Sequence, residues 1–377
     1  MTSFSTDLDK LHGLELDLAD AAGNLTVNAN RLAHAVTLQD AYRGDLLSTV
    51  EAALDAFASQ YFADIRVNSD SIRYIGTSSG RAARSYDGHE EGNAAMLSAV
   101  GYDSRFASAA PDPVPQSIGS QRYSDIQLPS LQSEQPESFE LRKLISECAE
   151  VIGAMEDALS QSVGLRPVAD YLDPLRADWE ILRTVGIAIR RLGTNDYVAG
   201  ENLAGTTRWI GETWSGAAAR SFHEAMLPLQ QSLLGRSEYA DRVGLLVERA
   251  GEFLERVVLN QAMSLYGGLM KPTTRHAGTF PLGIWATTEY GSLAGDDCAA
   301  EIDAIRRGAD QRQASIDDAL TRIRSALDYD PQKPVADIST SFELPARVLV
   351  DQGALRFGFD DAVWVQCASP EFRVDAS

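Results

Sequence analysis

The sequence has few of the residues from which catalytic and metal centres are usually built. It contains five histidines and three cysteines in 377 residues. The histidines form no HExxH or HxxxH motif, and no GxSxG motif or glycine-rich phosphate loop is present. We therefore expect no enzymatic activity, no cofactor and no metal ion. The one candidate for a catalytic or metal-binding cluster comprises His276, Asp296, Asp297 and Cys298.

The cysteines are odd in number and far apart in the chain, at Cys148, Cys298 and Cys367. They provide neither the CxxC spacing of a metal motif nor a closed set of disulfides. We interpret them as small buried hydrophobic residues.

Long apolar runs are also absent. No stretch approaches the roughly 18 apolar residues that a membrane-spanning helix needs. The chain runs from Met1 quickly into acidic residues, whereas a Sec signal peptide has a basic region followed by an apolar core. We expect a protein without a membrane span, for which a leaderless export route stays open.

Basic residues are scarce. Lys plus Arg number 33 against 54 Asp plus Glu, which gives a formal net charge of −21 at pH 7. The basic residues stand in short scattered groups with acids nearby, so no basic patch overrides the overall field. Because such a chain repels polyanions, nucleic acid is not expected as a partner.

Helical periodicity is abundant. Apolar residues recur every three or four positions over 8–36 and again over 47–75. Thr6 and Asp9 are suited to a capped start of the first helix. A polar break at 39–44 joins the two stretches, which predicts an antiparallel hairpin. One hairpin leaves an apolar stripe open on each helix, so it needs a second hairpin to close its core.

The periodicity vanishes over 92–138, where five prolines stand among Ser, Gln and Gly. We interpret this stretch as a linker or flexible loop. It divides the chain into an N-terminal helical hairpin, a linker, a second helical module and a C-terminal region, at 1–95, 96–138, 139–270 and 271–377.

Helical spacing returns in the second module over 141–159, 175–203 and 218–257. The pair Asp173-Pro174 predicts the start of the middle helix, because aspartate caps helix N-termini and proline suits the first helical position.

The C-terminal region changes character. A glycine-rich loop over 267–296 precedes a further predicted helix over 302–327. Short β-like runs follow at 348–350, 355–359 and 363–365, with a turn between the first two. The predicted fold class is mainly α, with long antiparallel helical hairpins forming a bundle and a small β-like C-terminal segment.

The break between two of the long helical stripes reads Trp214-Ser215-Gly216, followed by three alanines, Arg220, Ser221 and Phe222. Glycine permits a tight reversal, alanines allow close helix approach, and tryptophan can bury a large face at the tip. The pattern resembles the WxG turn of type VII (ESX) secretion substrates, in which the tryptophan and glycine form the bend of a helical hairpin. A second WxG pattern, at Trp209, lacks the alanines and the phenylalanine, and we assign Trp209 to the core.

A second motif follows the first predicted hairpin. The run from Tyr86 to Glu90 resembles the YxxxD/E export signal of the same substrates, and a helix would place these two side chains on one face. Together with a leading Phe4-x-x-Asp7, the first module resembles the ESX-associated excreted-protein modules of actinobacteria. A composition rich in arginine and poor in lysine fits such a GC-rich genome.

The resemblance covers roughly residues 4–95 and 170–265, and it departs from the family pattern in two ways. The small substrates carry WxG and YxxxE on the two partners of a heterodimer, whereas here both lie on one chain in reversed order. Gly88 also weakens a continuous helix through the signal.

The resemblance implies a protein that leaves the cytoplasm for the cell surface or the medium and acts through protein–protein contacts. The candidate recognition residues are Tyr86, Glu90, Trp214 and Gly216, and their expected partners are the secretion machinery or its chaperone, a WxG-type helical protein or a second copy. Two alternatives stay open. In one, the helices deliver a toxin-like cargo that follows residue 271. In the other, the chain is an intracellular helical structural protein.

Overall fold

The computed structural model describes residues 7–38, 44–84, 120–131, 140–275, 278–288, 295–351, 354–359 and 362–366. This part of the chain is mainly α, as predicted. Its α-helices are α1 (Leu8–Leu32), α2 (Ser48–Arg84), α3 (Leu141–Gly153), α4 (Glu156–Val163), α5 (Ile181–Gly211), α6 (Ala217–Leu269), α7 (Leu282–Thr287) and α8 (Gly295–Ala326). Its strands are β1 (Pro272–Arg275), β2 (Gly278–Pro281), β3 (Arg356–Phe359) and β4 (Ala362–Gln366).

Helices α1 and α2 form the predicted N-terminal hairpin, because each buries its apolar stripe against the other. The helices approach closely where small residues of α2 face α1. A Cβ atom on Gly76 would lie 3.0 Å from the Cβ of Leu18, and the Ser69 hydroxyl donates to the carbonyl of Ala22 at 2.9 Å.

The start of α1 differs from the prediction. Asp7 is the N-cap, and its carboxylate accepts the Lys10 N–H at 3.3 Å. Asp9 lies within the first turn, where its charge suits the positive end of the helix dipole. The N-cap is therefore Asp7 and not the predicted pair of Thr6 and Asp9, and Thr6 lies outside the described residues.

Helices α5 and α6 form a second, longer antiparallel hairpin. Their backbones nearly touch where two glycines face each other, since a Cβ atom on Gly186 would lie 2.6 Å from the Gly244 carbonyl oxygen. Only glycine allows this approach, so the pair fixes the spacing of the two helices at their middle.

Helix α5 begins at Ile181, so the predicted start at Asp173-Pro174 was wrong. Residues Asp173–Leu175 form a single 3₁₀ turn, and the chain leaves helical geometry at Arg176. Trp179 is fully buried here, with its indole N–H donating to the Leu175 carbonyl at 2.8 Å. The Asp-Pro pair starts a helical turn as its chemistry favours, but burial of the tryptophan decides where α5 begins.

The two hairpins pack together around one hydrophobic core. The Asn195 side chain of α5 donates to the Leu25 carbonyl of α1 at 3.0 Å. Helix α8 lies along α6 and contacts α2, and the amide of Gln261 donates to the Ala309 carbonyl at 3.3 Å. Each hairpin thus closes the other's open stripe.

The small β-like segment is present as a four-stranded antiparallel sheet in the order β1-β2-β3-β4. The first two strands lie in the stretch interpreted as a glycine-rich loop, and β3 joins them by pairing Gly278 with Phe359. Strands β3 and β4 pair as a hairpin, with Phe357 opposite Val365.

The predicted strand at 348–350 was wrong. These residues have no ladder partner and run along α6, where the Val348 N–H donates to the Asn260 side-chain oxygen at 2.8 Å. Val350 packs beside Gly267 of α6 instead of pairing in a sheet, while Leu349 is 80% exposed.

Part of the proline-rich stretch is also ordered against the helices. Residues 120–131 form neither helix nor strand and lie across α1 and α5, and the Gln121 N–H donates to the Asp9 carbonyl at 3.1 Å. Within these residues the chain is a packed segment rather than a free linker.

Candidate functional site

The Trp214 turn connects α5 to α6, as the sequence predicts. Its N–H donates to the Ile210 carbonyl at 2.9 Å, which continues the end of α5. Gly216 then caps α6 with φ 115° and ψ −164°, a region that is essentially restricted to glycine. The bend therefore depends on the glycine at this position.

The tryptophan of this turn faces inward. Trp214 is only 2% exposed, and its ring lies 5.4 Å from that of Phe222 on the first turns of α6. Ala218 and Ala219 are buried beside it. Trp214 packs inside the hairpin tip. The outer surface of the tip is formed by the exposed residues Glu212, Ser215 and Arg220.

His223 lies against this tip. Its ring is 5.7 Å from that of Phe222, and it lies 3.2 Å from where a Cβ on Gly211 would stand. Burial lowers the pKa of His223, so its neutral form is favoured in the folded tip.

Tyr86 and Glu90, the two residues of the predicted export signal, lie outside the described residues. Helix α2 is described as far as Arg84, whose guanidinium pairs with the buried Glu15 carboxylate at 3.1 Å. Gly80 makes room for that carboxylate, because a Cβ atom there would lie 1.8 Å from its oxygen. This pair holds the end of α2 against the first half of α1.

The same end of α1 meets the end of α5. The Lys10 ammonium lies 5.2 Å from the centre of the Trp209 ring, in a cation–π arrangement. Since α1 contacts both neighbours near its N-terminus, the described end of α2 and the Trp214 turn lie at one end of the bundle. Trp209 itself is partly buried and packs against the hydrophobic core, so its assignment to the core is confirmed in part.

A buried ionic cluster that sequence analysis missed joins three helices near the middle of the bundle. The Arg236 guanidinium of α6 forms a bidentate pair with Asp196 of α5, at 2.7 and 2.9 Å. The Tyr61 hydroxyl of α2 donates to the same carboxylate at 2.5 Å. The side chains of Arg236 and Asp196 are 2% and 0% exposed. The signal was present, because both charged residues fall on apolar stripes of their helices.

The electrostatics of this cluster favour the ion pair. Desolvation acts to lower the pKa of Arg236, but the charge and hydrogen bonds of Asp196 raise it overall. Burial raises the pKa of Tyr61 well above its ordinary value, and the charge of Asp196 raises it further. The arginine stays protonated and the tyrosine stays a donor.

Aromatic rings extend the cluster toward the C-terminal region. The Tyr329 ring meets Phe57, Tyr61 and Tyr239 at centroid distances of 5.7, 5.8 and 5.7 Å. Its hydroxyl donates to Asp64 of α2 at 2.7 Å. The segment after α8 is thereby fixed to the first hairpin. These contacts stabilise the fold.

Within the described residues, no three His, Cys, Asp or Glu side chains come together as metal ligands. Of the cluster singled out in the sequence, only Cys298 can be placed, and it is buried in α8. His276 and the side chains of Asp296 and Asp297 lie outside the described residues.

Comparison with protein-family models, curated proteins and solved structures finds no match to this chain. No helix in the described ranges combines the length and apolarity that crossing a membrane demands.

Proposed function

We propose that this protein is a substrate of type VII (ESX) secretion that acts after export as a non-enzymatic binding or scaffold protein. The observation that carries the proposal is the bend at Trp214-Ser215-Gly216. It lies between two long antiparallel helices, and its glycine adopts a backbone conformation that other residues avoid.

The position of the bend supports the proposal further. The predicted signal at Tyr86 begins two residues after Arg84, and Arg84 lies at the same end of the bundle as the Trp214 turn. A receptor that contacts this end could reach both motifs on one folded chain. Because Trp214 is buried, such a receptor would read the exposed tip rather than the indole itself.

The C-terminal region supports a binding protein over a delivery module with a separable cargo. Residues after 271 return to the bundle, where Arg242 donates to the Ile338 carbonyl at 2.9 Å and Arg256 donates to the Pro345 carbonyl at 3.1 Å. A segment held along α6 in this way is part of the same body as the hairpins.

The test is export of the full-length chain from an actinobacterium with an intact type VII system and from a strain that lacks a functional one. We expect the chain in the culture filtrate of the first strain alone. Tyr86→Ala and Glu90→Ala should each lower export at least tenfold. Trp214→Ala should do the same, because the tip loses its internal support.

Trp209→Ala is the matched control, since it changes the other WxG pattern without changing the bend, and it should be exported like the wild type. Circular dichroism of each purified variant separates loss of export from loss of folding. Equal amounts of wild-type protein in the filtrates of both strains would contradict the proposal, as would retention of the folded wild type in both.

A further inference from the structure

The 120–131 segment lies in a shallow groove between α1 and α5. We call this the α1/α5 groove and define it by Asp9, Gly13, Asp17, Asn202, Gly205 and Trp209. The segment contributes no helix or strand, and most of its side chains are exposed, with Leu128 73% exposed. Its contacts therefore resemble those of a bound peptide more than those of a core element.

The groove binds the main chain of this segment at three places. The Gln121 N–H donates to the Asp9 carbonyl at 3.1 Å, and the Tyr123 N–H donates to the Asp17 carboxylate at 2.8 Å. The Asn202 amide takes both polar groups of one residue: it accepts the Gln127 N–H at 2.9 Å and donates to the Gln127 carbonyl at 2.8 Å. Such contacts fit any extended chain, because they use groups that every residue but proline carries.

Two side chains of the segment are recognised specifically. The Arg122 guanidinium pairs with Asp17 at 2.6 Å and with Asp20 at 2.5 Å. The Tyr123 ring lies 6.1 Å from the Trp209 ring, and its hydroxyl lies 2.5 Å from where a Cβ on Gly205 would stand. The groove is thus shaped and charged for an arginine followed by an aromatic residue.

The acidic side of the groove is covered by the segment, so an occupant has to compensate the charge that it covers. The Asp17 side chain is 1% exposed. Desolvation raises the pKa of Asp17, while the Tyr123 N–H and the Arg122 guanidinium act to lower it. A carboxylate in this position calls for a cationic ligand.

Gly13 completes the groove. A Cβ atom on this residue would lie 1.7 Å from the Gln121 carbonyl oxygen, so the bound chain rests directly on the backbone of α1. Any larger residue would push the segment away.

We propose that the α1/α5 groove is a binding site for an extended segment of a partner protein that carries an arginine followed by an aromatic residue. The chain's own residues 120–131 occupy it in the free protein and must be displaced. Polar contacts dominate the fit, so an equivalent segment can replace each of them. This inference does not depend on the secretion proposal.

The tethered segment competes at an effective concentration in about the millimolar range, which weakens binding of any free peptide to the wild type. Removing the tethered segment from the groove should therefore raise the measured affinity of the groove for a free peptide. The probe is a fluorescein-labelled peptide of residues 120–131, and its binding to the full-length protein is followed by anisotropy. The vacated variant carries Arg122→Glu and Tyr123→Ala.

We expect the vacated variant to bind the probe at least tenfold more tightly than the wild type. Adding Asp17→Asn to that variant should lower the affinity at least tenfold, because the guanidinium loses its buried partner. A control peptide with Arg122→Glu should bind at least tenfold more weakly than the probe. Equal binding by the vacated variant and the wild type, or no saturable binding to the folded vacated variant, would overturn the proposal.

Hydrogen exchange on the wild type gives a second test that needs no variant. Excess unlabelled peptide should speed exchange of the Gln121, Tyr123 and Gln127 amides, and no change at saturating peptide would count against displacement. If the wild type instead forms a dimer that the peptide dissolves, the occupant is a second copy. The assignment to a separate partner would then be wrong.

Discussion

Arg236→Met removes the cation from the buried cluster while keeping a side chain of similar length. The Asp196 carboxylate, which is 0% exposed, then loses the bidentate guanidinium and keeps the hydrogen bond from the Tyr61 hydroxyl. Breaking a buried ion pair from one side costs about 3–5 kcal/mol, because the remaining charge is neither solvated nor paired. For 377 residues the unfolding entropy is about 0.8 kcal/mol/K, so Tm should fall by about 4–6 °C.

Thermal unfolding followed by far-UV circular dichroism measures this shift. Arg190→Met is the matched control, because Arg190 pairs with Asp241 and Glu248 on the surface and is 40% exposed. Surface pairs contribute about 0–1 kcal/mol, so its Tm should change by about 1 °C or less. Adding Asp196→Leu to Arg236→Met should recover most of the lost stability, since no charge is then left buried. Equal melting temperatures for Arg236→Met and Arg190→Met would refute the reasoning.

Two further predictions concern the hairpin tip and a buried thiol. Gly216→Ala should lower stability by about 1–3 kcal/mol, because φ 115° strains any side chain. Gly235→Ala, in open space within α6, should be neutral or stabilising by up to about 1 kcal/mol; equal melting temperatures for the two variants would contradict this. Burial raises the pKa of Cys148 to about 12. In a variant that also carries Cys298→Ser and Cys367→Ser, the thiol of folded Cys148 should therefore react with a disulfide reagent at pH 8 about a thousandfold more slowly than the thiol of the unfolded chain. The unfolded thiol releases its proton first, so Cys148 should also lower stability as pH rises from about 8.5 toward 12. Cys148→Ala should remove the part of this loss that sets in below about pH 10, where tyrosines are not yet ionised. Fast labelling of the native thiol would show that it is accessible.

The helices themselves were largely predictable, because an apolar stripe is a local property. The stripes from Leu8 and from Leu47 correspond to α1 and α2, and the break at Trp214 is the bend between α5 and α6. The failures arise where tertiary packing overrides a local signal. Asp173-Pro174 forms a turn instead of starting α5, and Val350 packs on a helix where a strand was expected.

The candidate sites were predictable only in part. The Trp214 bend could be located because its residues are adjacent in sequence. The α1/α5 groove could not, because its ligand carries no periodic pattern and because Asp17 of α1 and Asn202 of α5 are 185 residues apart in the sequence. Charged residues on apolar stripes, such as Asp17 and Arg236, were the available warning that a buried polar contact existed.

Three properties follow from neighbouring residues or from composition: the long amphipathic helices, the position of the bend at Trp214 and the strongly negative overall charge. Three others depend on how the whole chain packs: the two hairpins share a core, Asp196 pairs with Arg236, and residues 120–131 fill a groove. Periodicity specifies that a face is buried. It does not specify the partner, because burial is satisfied equally well by any complementary surface until the whole chain is packed.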